Sequence, residues 1–328
     1  MKNVAVIAGG CSGEHEISIL SGKEIFKHID KEKYNVYFIV IERSRWIYAD
    51  NEGVEHELDK NDFSLNIAGK KIFFDVVYNV IHGKPGEDGE IQGYFDILGI
   101  PYTGCNMYVA GLTFHKYFCK KIVENLGVPV SDGVFLTSGD YDIDSIVNRV
   151  GLPCFVKPNK NGSSVGISKI YKKEDLNRAI ELAFKCDDEV LVERFVRGRE
   201  LSCGVFKDKS TLVVLPITEI VPKNDFFDYE AKYTEGKSDE ITPANIDAGI
   251  AERIAEYAKV IYNGLHCEGC VRIDFIADTQ NVTFLEVNSN PGMSERSIVP
   301  QQLRHHGVDM KYFVNSQIEY AINKKINS

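Results

Sequence analysis

The sequence predicts an α/β and α+β protein, with a parallel βαβ sheet first and antiparallel strand-and-helix units after it. Three patterns carry this. The runs Val4–Ala8, Val36–Ile41 and Asp75–Ile81 are apolar and β-branched, and a helical pattern separates the first two. Strand, loop, strand, helix and strand signals follow between Phe155 and Phe195. Near the end, Val271–Ile276 and Thr283–Asn288 alternate apolar and polar residues around a short polar turn, as an antiparallel hairpin does.

The first run ends in Gly9-Gly10, and Ile19, Leu20, Ile25, Phe26 and Ile29 give the helix after it. The pattern breaks around Gly99-Ile100-Pro101 and Gly104, which puts a domain boundary near residue 104. Tyr108 to Leu126 reads as one helix, stopped by Gly127-Val128-Pro129. Phe155–Lys157 and Ile167–Tyr171 read as strands flanking a Gly/Ser loop, Glu174–Phe184 as an amphipathic helix, and Glu189–Phe195 as a strand. Leu201–Phe206 and Leu212–Ile220 read as hairpin strands. Residues 222–243 show no sustained period, and loops of that length within a domain are usually functional or disordered.

With 328 residues, 44% apolar and 26% charged, the chain is a folded protein of two or three domains, not a disordered or fibrous one. Its 48 acidic residues exceed its 38 Lys and Arg, for a formal charge of -10. That is a poor footprint for a nucleic-acid backbone and favours a small-molecule site. No apolar run reaches the length needed to cross a bilayer, and the first residues are too short for a secretory segment, so a cytoplasmic protein without a membrane partner is expected. The eight cysteines are scattered. Cys267 and Cys270 form a lone CxxC, which reads as buried reduced thiols rather than a zinc site.

Five segments carry chemistry. In Lys157-Pro-Asn-Lys-Asn-Gly162-Ser163-Ser164-Val-Gly166, backbone amides can curl around anionic oxygens while Lys157 supplies charge; the other reading is a plain mobile turn. In the terminal hairpin, with Thr279–Asn281 as its loop, Asp274 should face Glu286 and Arg272 should face Asn288, all on one side of the sheet. Two carboxylates and an amide oxygen at one spot suit Mg²⁺; the other reading is a solvated edge hairpin. The turn from Ser289 through Pro291, Gly292 and Ser297 offers amides beside that spot, where they can stabilise an oxyanion. In the first domain, Gly9-Gly10-Cys-Ser12-Gly-Glu14 and His82-Gly-Lys84-Pro-Gly86-Glu87-Asp88-Gly89 each follow a strand. At the first of these a helix N-terminus favours a carboxylate and an acid can hold an ammonium, whereas a lone His at the second reads more often as structural.

In order, the segments GGCSGEHEIS, HGKPGEDGEIQG, IPYTG, VKPNKNGSSVG, VLVERF, DYEAKY, RID, EVNSNPGM and SIVPQQ resemble the ATP-grasp ligases, specifically the D-alanine–D-alanine ligase family. The resemblance implies an ATP-grasp fold with an N-terminal Rossmann-like domain, dividing the chain into residues 1–104, 105–193 and 194–328. It implies nucleotide contacts from Lys116, Lys157, Ser163, Ser164, Glu193, Arg194, Phe195, Val196, Glu200 and Lys232. Asp274, Glu286 and Asn288 would bind two Mg²⁺, with Mn²⁺ as an alternative. Glu14 would receive the first D-alanine's ammonium, His82 would position that substrate, and Ser297 with the Ile298 amide would engage the second carboxylate. Arg272 and the Gly292 amide would stabilise the oxyanion. Lys232 and Tyr233 would belong to a closing loop that joins Ser163 and Glu14 over the site. The implied activity is ATP-dependent joining of two D-alanines for peptidoglycan synthesis, by a homodimer.

His115 stands where Asp often precedes the lysine, Asn161 where some members have Glu, and Arg296 beside Ser297. A guanidinium there can alter second-substrate preference, so D-serine or D-lactate as acceptor is the alternative within the family. A catalytically silent ATP-grasp binding protein is the alternative outside it. A nicotinamide-dependent oxidoreductase is disfavoured because the GxGxxG spacing is absent.

Overall fold

The structure, a computed structural model, describes residues 1–137, 139–162, 165–222 and 238–326. Strands β1 (Lys2–Gly9), β2 (Tyr34–Ile41), β3 (Trp46–Ala49), β4 (Glu55–Glu57) and β7 (Val76–Asn79) build a five-stranded sheet in the order β4-β3-β2-β1-β7. β1 pairs in parallel with β2 and β7, while β3 and β4 extend the edge antiparallel. A small ribbon of β5 (Leu65–Ile67) and β6 (Lys70–Ile72) lies in the β4–β7 connection. Helix α1 (His15–His28) crosses from β1 to β2 and buries Ser18, Ser21, Gly22 and Ile25 on the sheet. Its small inward residues let the helix sit close to the sheet, so its hydroxyls reach the strand ends.

Helix α2 (Glu90–Leu98) follows the first sheet, and then α3 (Met107–Phe114) and α4 (Lys116–Asn125). The single helix expected over 108–126 is thus two, because His115 has φ -88° and ψ 92° and ends one helix while capping the next. The periodicity is helical on both sides, so one extended residue is invisible to it. The second sheet is antiparallel: β8 (Gly133–Leu136), β9 (Cys154–Pro158), β10 (Ser168–Ile170) and β11 (Val190–Arg194) in the order β10-β9-β11-β8. Helices α5 (Ile143–Val150) and α6 (Lys173–Phe184) cover it around Ile146, Val150, Leu176 and Ile180.

The third sheet has six strands: β12 (Arg199–Asp208), β13 (Thr211–Val214), β14 (Thr218–Pro222), β15 (Ser238–Ile241), β16 (Cys270–Ala277) and β17 (Val282–Asn288). They run β15-β14-β12-β16-β17, with β13 beside β12. The strand expected over 212–220 is therefore two, divided at Leu215-Pro216-Ile217. Residues 238–241 are a strand where only irregular chain was expected. Helix α7 (Ala248–Gly264) packs on this sheet through Ile250, Ile254, Ala258 and Ile261.

The chain closes with α8 (Ile298–His306) and α9 (Met310–Ile326), which return to the start of the molecule. One continuous core holds Val4, Val6, Ile25, Val76 and Tyr78 of the first sheet and its helix together with Met293, Val299, Leu303, Phe313, Val314 and Ile318. Burying a side chain of this size contributes about 1.5–3 kcal/mol. The C-terminal turn and helices are therefore fastened to the N-terminal sheet by apolar packing before any polar contact is counted.

Candidate active site

The expected hairpin forms in the expected register: Arg272 pairs with Asn288 and Asp274 with Glu286, a bulge following between Asp274 and Phe275. Alternation along each strand then brings the four polar side chains together. Asp274 is buried. Its Oδ2 accepts from Arg272 Nη2 at 2.8 Å and Asn288 Nδ2 at 3.0 Å, and its Oδ1 from Ser202 Oγ at 2.7 Å. Glu286 Oε2 accepts from Lys116 Nζ at 3.1 Å, so α4 reaches across to the hairpin. Burial alone would push Lys116 down, but the Glu286 carboxylate outweighs it and holds the ammonium above its ordinary range. Two carboxylates and an amide form an all-oxygen donor set, which fits Mg²⁺ with its remaining ligands from phosphate and water. Among the described residues, no group of three or more His, Cys, Asp or Glu could hold a metal, so such an ion would depend on those further ligands.

A second charged cluster sits on the antiparallel sheet. Glu193 of β11 is 3% exposed, with Lys120 on one carboxylate oxygen and Lys157 on the other; Ser131 Oγ also donates to Oε1 at 3.0 Å. Burial alone would raise the Glu193 pKa, but the two ammonium groups hold it down to about 2. One carboxylate cannot satisfy two buried ammoniums equally. Burial, with Lys157 as a like charge, pushes Lys120 below its ordinary range despite Glu193.

The two lysine-bearing elements are joined by fully buried Asn159. Its carbonyl accepts from Lys116 N–H at 3.3 Å, its Oδ1 from Tyr117 N–H at 2.9 Å, and its Nδ2 donates to Glu189 Oε2 at 2.7 Å. His115 lies against the same amide, its Nε2 2.9 Å from Glu189, and caps α4 through Nδ1. The departure from Asp at this position thus keeps the capping role.

Phe195, Phe155 and Tyr171 surround Lys169, whose Nζ lies 4.3 Å from the Phe195 ring centroid. Arg194 points elsewhere, donating to Arg149 O at 2.9 Å. Val196 is half-buried between β11 and β12, and Glu200 lies near the start of β12, paired with Ile276 and Ile220.

At the other end of the cleft, Glu14 stands just before α1 with its carboxylate at the Gly/Ser loop; a Cβ on Gly162 would fall 2.8 Å from Glu14 Oε2. His82 is buried, with Glu87 Oε1 3.7 Å from Nδ1. Burial would lower its pKa, but the charges of Glu87 and Glu14 raise it, while burial raises Glu87 itself. Ser297 starts α8, its Oγ 2.7 Å from Ser294 Oγ, so the Ile298 amide lies in the first turn of a helix. The turn at Gly292 passes close to the start of α8, where a Cβ would lie 2.9 Å from Ser297 Oγ. Ser163, Ser164, Lys232 and Tyr233 lie outside the described residues.

Sequence reasoning missed Lys120, Asn159, Lys169 and Ser21. Lys120 had a local signal, standing four residues after Lys116 on one helix face. The isolated CxxC behaves as expected: Cys267 and Cys270 are free and buried, as are Cys105, Cys119, Cys154 and Cys203, while Cys11 and Cys186 are exposed.

Known proteins share this architecture. A family model described as D-ala D-ala ligase N-terminus matches residues 3–105, and one described as D-ala D-ala ligase C-terminus matches residues 122–319. A D-alanine--D-alanine ligase of Flavobacterium johnsoniae is 45% identical over 98% of this chain and 100% of its own. One from Phocaeicola vulgatus is 44% identical over 97% and 98%. Among solved structures, the D-alanyl-alanine synthetase A of Vibrio cholerae superposes with a TM-score of 0.89 at 29% identity, covering 98% of both chains. The VanG D-Ala:D-Ser ligase of Enterococcus faecalis gives 0.88 at 33%, covering 98% and 99%. A D-alanine--D-alanine ligase of Bacillus anthracis complexed with ATP gives 0.80 at 28%, covering 100% and 99%.

Proposed function

Because the chain belongs to the D-alanine–D-alanine ligase family, we propose that it joins two D-alanine molecules with hydrolysis of ATP, through a D-alanyl phosphate, for cell-wall synthesis. The observation that carries the reading at the level of residues is the hairpin register, which groups Arg272, Asp274, Glu286 and Asn288 with Lys116 on Glu286. We read the chain as an N-terminal unit of residues 1–104, a central one of 105–193 and a C-terminal one of 194–328, with the nucleotide between the last two.

In this reading the first D-alanine sits with its ammonium on Glu14, near His82. Its carboxylate oxygen attacks the γ-phosphorus, the bond to ADP breaks, and a mixed anhydride forms. Lys116 and Lys157 offset the charge of the transferring phosphoryl group, and Lys120 keeps Glu193 neutralised when Lys157 turns to phosphate. When bound at Asp274, Glu286 and Asn288, Mg²⁺ or Mn²⁺ would supply further neutralisation of the phosphates. The second D-alanine is held by its carboxylate at Ser297 and the Ile298 amide. Its amine attacks the acyl carbon, a C–N bond forms, and the C–O bond to phosphate breaks as the amine loses its proton. Arg272 and the Gly292 amide hold the oxyanion of the tetrahedral intermediate.

Phe155 and Phe195 provide an aromatic wall for adenine, Glu200 a partner for ribose. The Glu193 side chain is engaged by the lysines, so its contribution to adenine recognition is through the β11 backbone, which continues into Arg194, Phe195 and Val196. The family resemblance assigns Lys232, Tyr233, Ser163 and Ser164, which lie outside the described residues, to keeping water from the anhydride. The formal charge of -10 disfavours a nucleic-acid partner, and family resemblance favours a cytoplasmic enzyme and a homodimer.

Purified protein with ATP and Mg²⁺ should release ADP in proportion to D-alanine and form D-alanyl-D-alanine. Absence of D-alanine-dependent ADP release would overturn the reading. Adding D-serine or D-lactate beside D-alanine tests the acceptor: D-alanine is expected to dominate, and preferential mixed product would reassign the second substrate. Sedimentation gives the oligomeric state.

A further inference from the structure

The turn carrying Gly292 is held by the N-terminal domain through two side chains. Ser21, on the inner face of α1 and fully buried, accepts from the Met293 N–H at 3.2 Å. The same Oγ lies 3.1 Å from His82 Nε2, and His82 Nδ1 lies 3.1 Å from the Asn290 carbonyl oxygen. A carbonyl only accepts, so Nδ1 carries the proton. Nε2 accepts from the Ser21 hydroxyl in the neutral ring and donates to its oxygen in the protonated ring that Glu87 and Glu14 favour; in both, Ser21 Oγ receives the Met293 amide. Asn290 Nδ2 completes the tie by donating to Ile81 O at 2.9 Å. Both ring nitrogens of His82 are therefore engaged with groups of this chain.

These bonds bracket Gly292: Asn290 is held two residues before it and Met293 one residue after. Met293 is also 4% exposed and packs in the core shared with α1 and the first sheet. The plane before Pro291, held through the Asn290 carbonyl by His82, and the plane after Gly292, held through the Met293 N–H by Ser21, are thus anchored from outside their own domain, and the Gly292 N–H lies between the two anchors. An amide that stabilises a developing oxyanion must be aimed in advance, because reorientation during the reaction forfeits the gain.

We propose that Ser21 is a positioning residue of the reaction, and that Ser21 and His82 act as one unit to aim the Gly292 amide. This rests on the reading of Gly292 as an oxyanion donor given above. His82 then works chiefly through the turn.

The test is Ser21→Ala in the full chain, with dipeptide and ADP measured together. A slackened turn should leave the KM for ATP within about twofold and lower kcat for dipeptide about tenfold, since small misplacements at a reacting centre have effects of this order. The ratio of ADP released to dipeptide formed should rise, as the anhydride forms but is lost to water. Ser21→Thr, which keeps the hydroxyl, should recover the ratio. Where the added methyl of threonine is not accommodated, the double variant Ser21→Ala with His82→Ala decides: one unit predicts a loss no greater than that of the larger single variant.

The proposal is overturned if folded Ser21→Ala retains the parent's kcat and product ratio. It is also overturned if the two losses multiply, or if kcat falls with the ratio unchanged and the unfolding midpoint lowered, as a merely structural serine would show. A parent protein without D-alanine-dependent ADP release would instead fail the ligase reading itself.

Discussion

Glu193 stands on an inner strand of its sheet and Glu286 on the edge strand of another, both paired to lysines of α4, and their surroundings differ. Glu193 is sealed, its side chain 3% exposed, with lysines on both oxygens and a serine besides. Glu286 keeps 24% of its side chain exposed, beside Lys116 at 3.1 Å. A sealed carboxylate with two cations stabilises the fold and orients its lysines. A half-open one can exchange partners without first dehydrating a buried pair. The two clusters share a helix, and α4 supplies a lysine to each. Lys120 serves the buried structure, and Lys116, four residues earlier, serves the cleft.

Activity should depend most steeply on the open cluster. Arg272→Met removes the guanidinium that pairs with Asp274 and, in our reading, meets the oxyanion. Dipeptide formation should fall by about 10²–10³ in kcat, the loss typical of one oxyanion donor. Steady-state kinetics with ATP saturating checks it; a loss below about tenfold would remove Arg272 from that role.

The sealed cluster should answer differently. Glu193→Gln leaves Lys120 and Lys157 buried without a counter-charge, and breaking a buried pair in this way costs about 3–5 kcal/mol of stability. Urea unfolding measures it, and Lys120→Met in the same background should return part of the loss. The pH dependence has a defined sign. The folded pKa of Glu193 is held below its ordinary 4.5, at about 2, so its contribution is present in full above 4.5 and is lost as pH falls toward about 2. The stability gap between parent and Glu193→Gln should therefore be constant from neutral pH to about 5 and shrink below 4.5. A gap unchanged down to about pH 3 would mean that the charge of Glu193 is not what holds the lysines.

Glu286→Gln completes the comparison with a smaller effect on folding and a specific one on the ion. It should raise the Mg²⁺ concentration needed for half-maximal turnover by about 10–100-fold, with unfolding little changed. An equal demand for Mg²⁺ in parent and variant would reassign the carboxylate.

The same contrast explains what the sequence can reveal. The open hairpin is readable because period-two alternation fixes which side chains share a face, so Asp274 opposite Glu286 follows from spacing alone. The sealed cluster is not. Lys120 meets Glu193 across 73 residues, and Ser21 meets Met293 across 272, and no local pattern encodes either contact. Strands β3 to β6 escape detection because three or four residues are too few to establish a period. The break at His115 is hidden for the opposite reason, since a long helical pattern runs through it. The roles of Glu14, His82 and Ser297 come from resemblance, because single polar residues after strands carry no chemistry by themselves.

Asn159 joins the two clusters and gives the smallest effect. Its side chain bonds Tyr117 N–H and Glu189, while its backbone receives Lys116 N–H. Asn159→Ala keeps the backbone bond and removes the side-chain ones, leaving the part-buried Tyr117 amide without this partner at a cost of about 1 kcal/mol. If Asn159 sets the spacing between Lys116 and Lys157, the KM for ATP should rise a few-fold, about 2–5, as the lysines lose register. D-alanine dependence at saturating ATP should be unchanged, because Glu14, His82 and Ser297 lie on other elements. A lower stability with no change in the KM for ATP would show that the β9–α4 junction is only structural, and that each lysine is oriented by its own carboxylate.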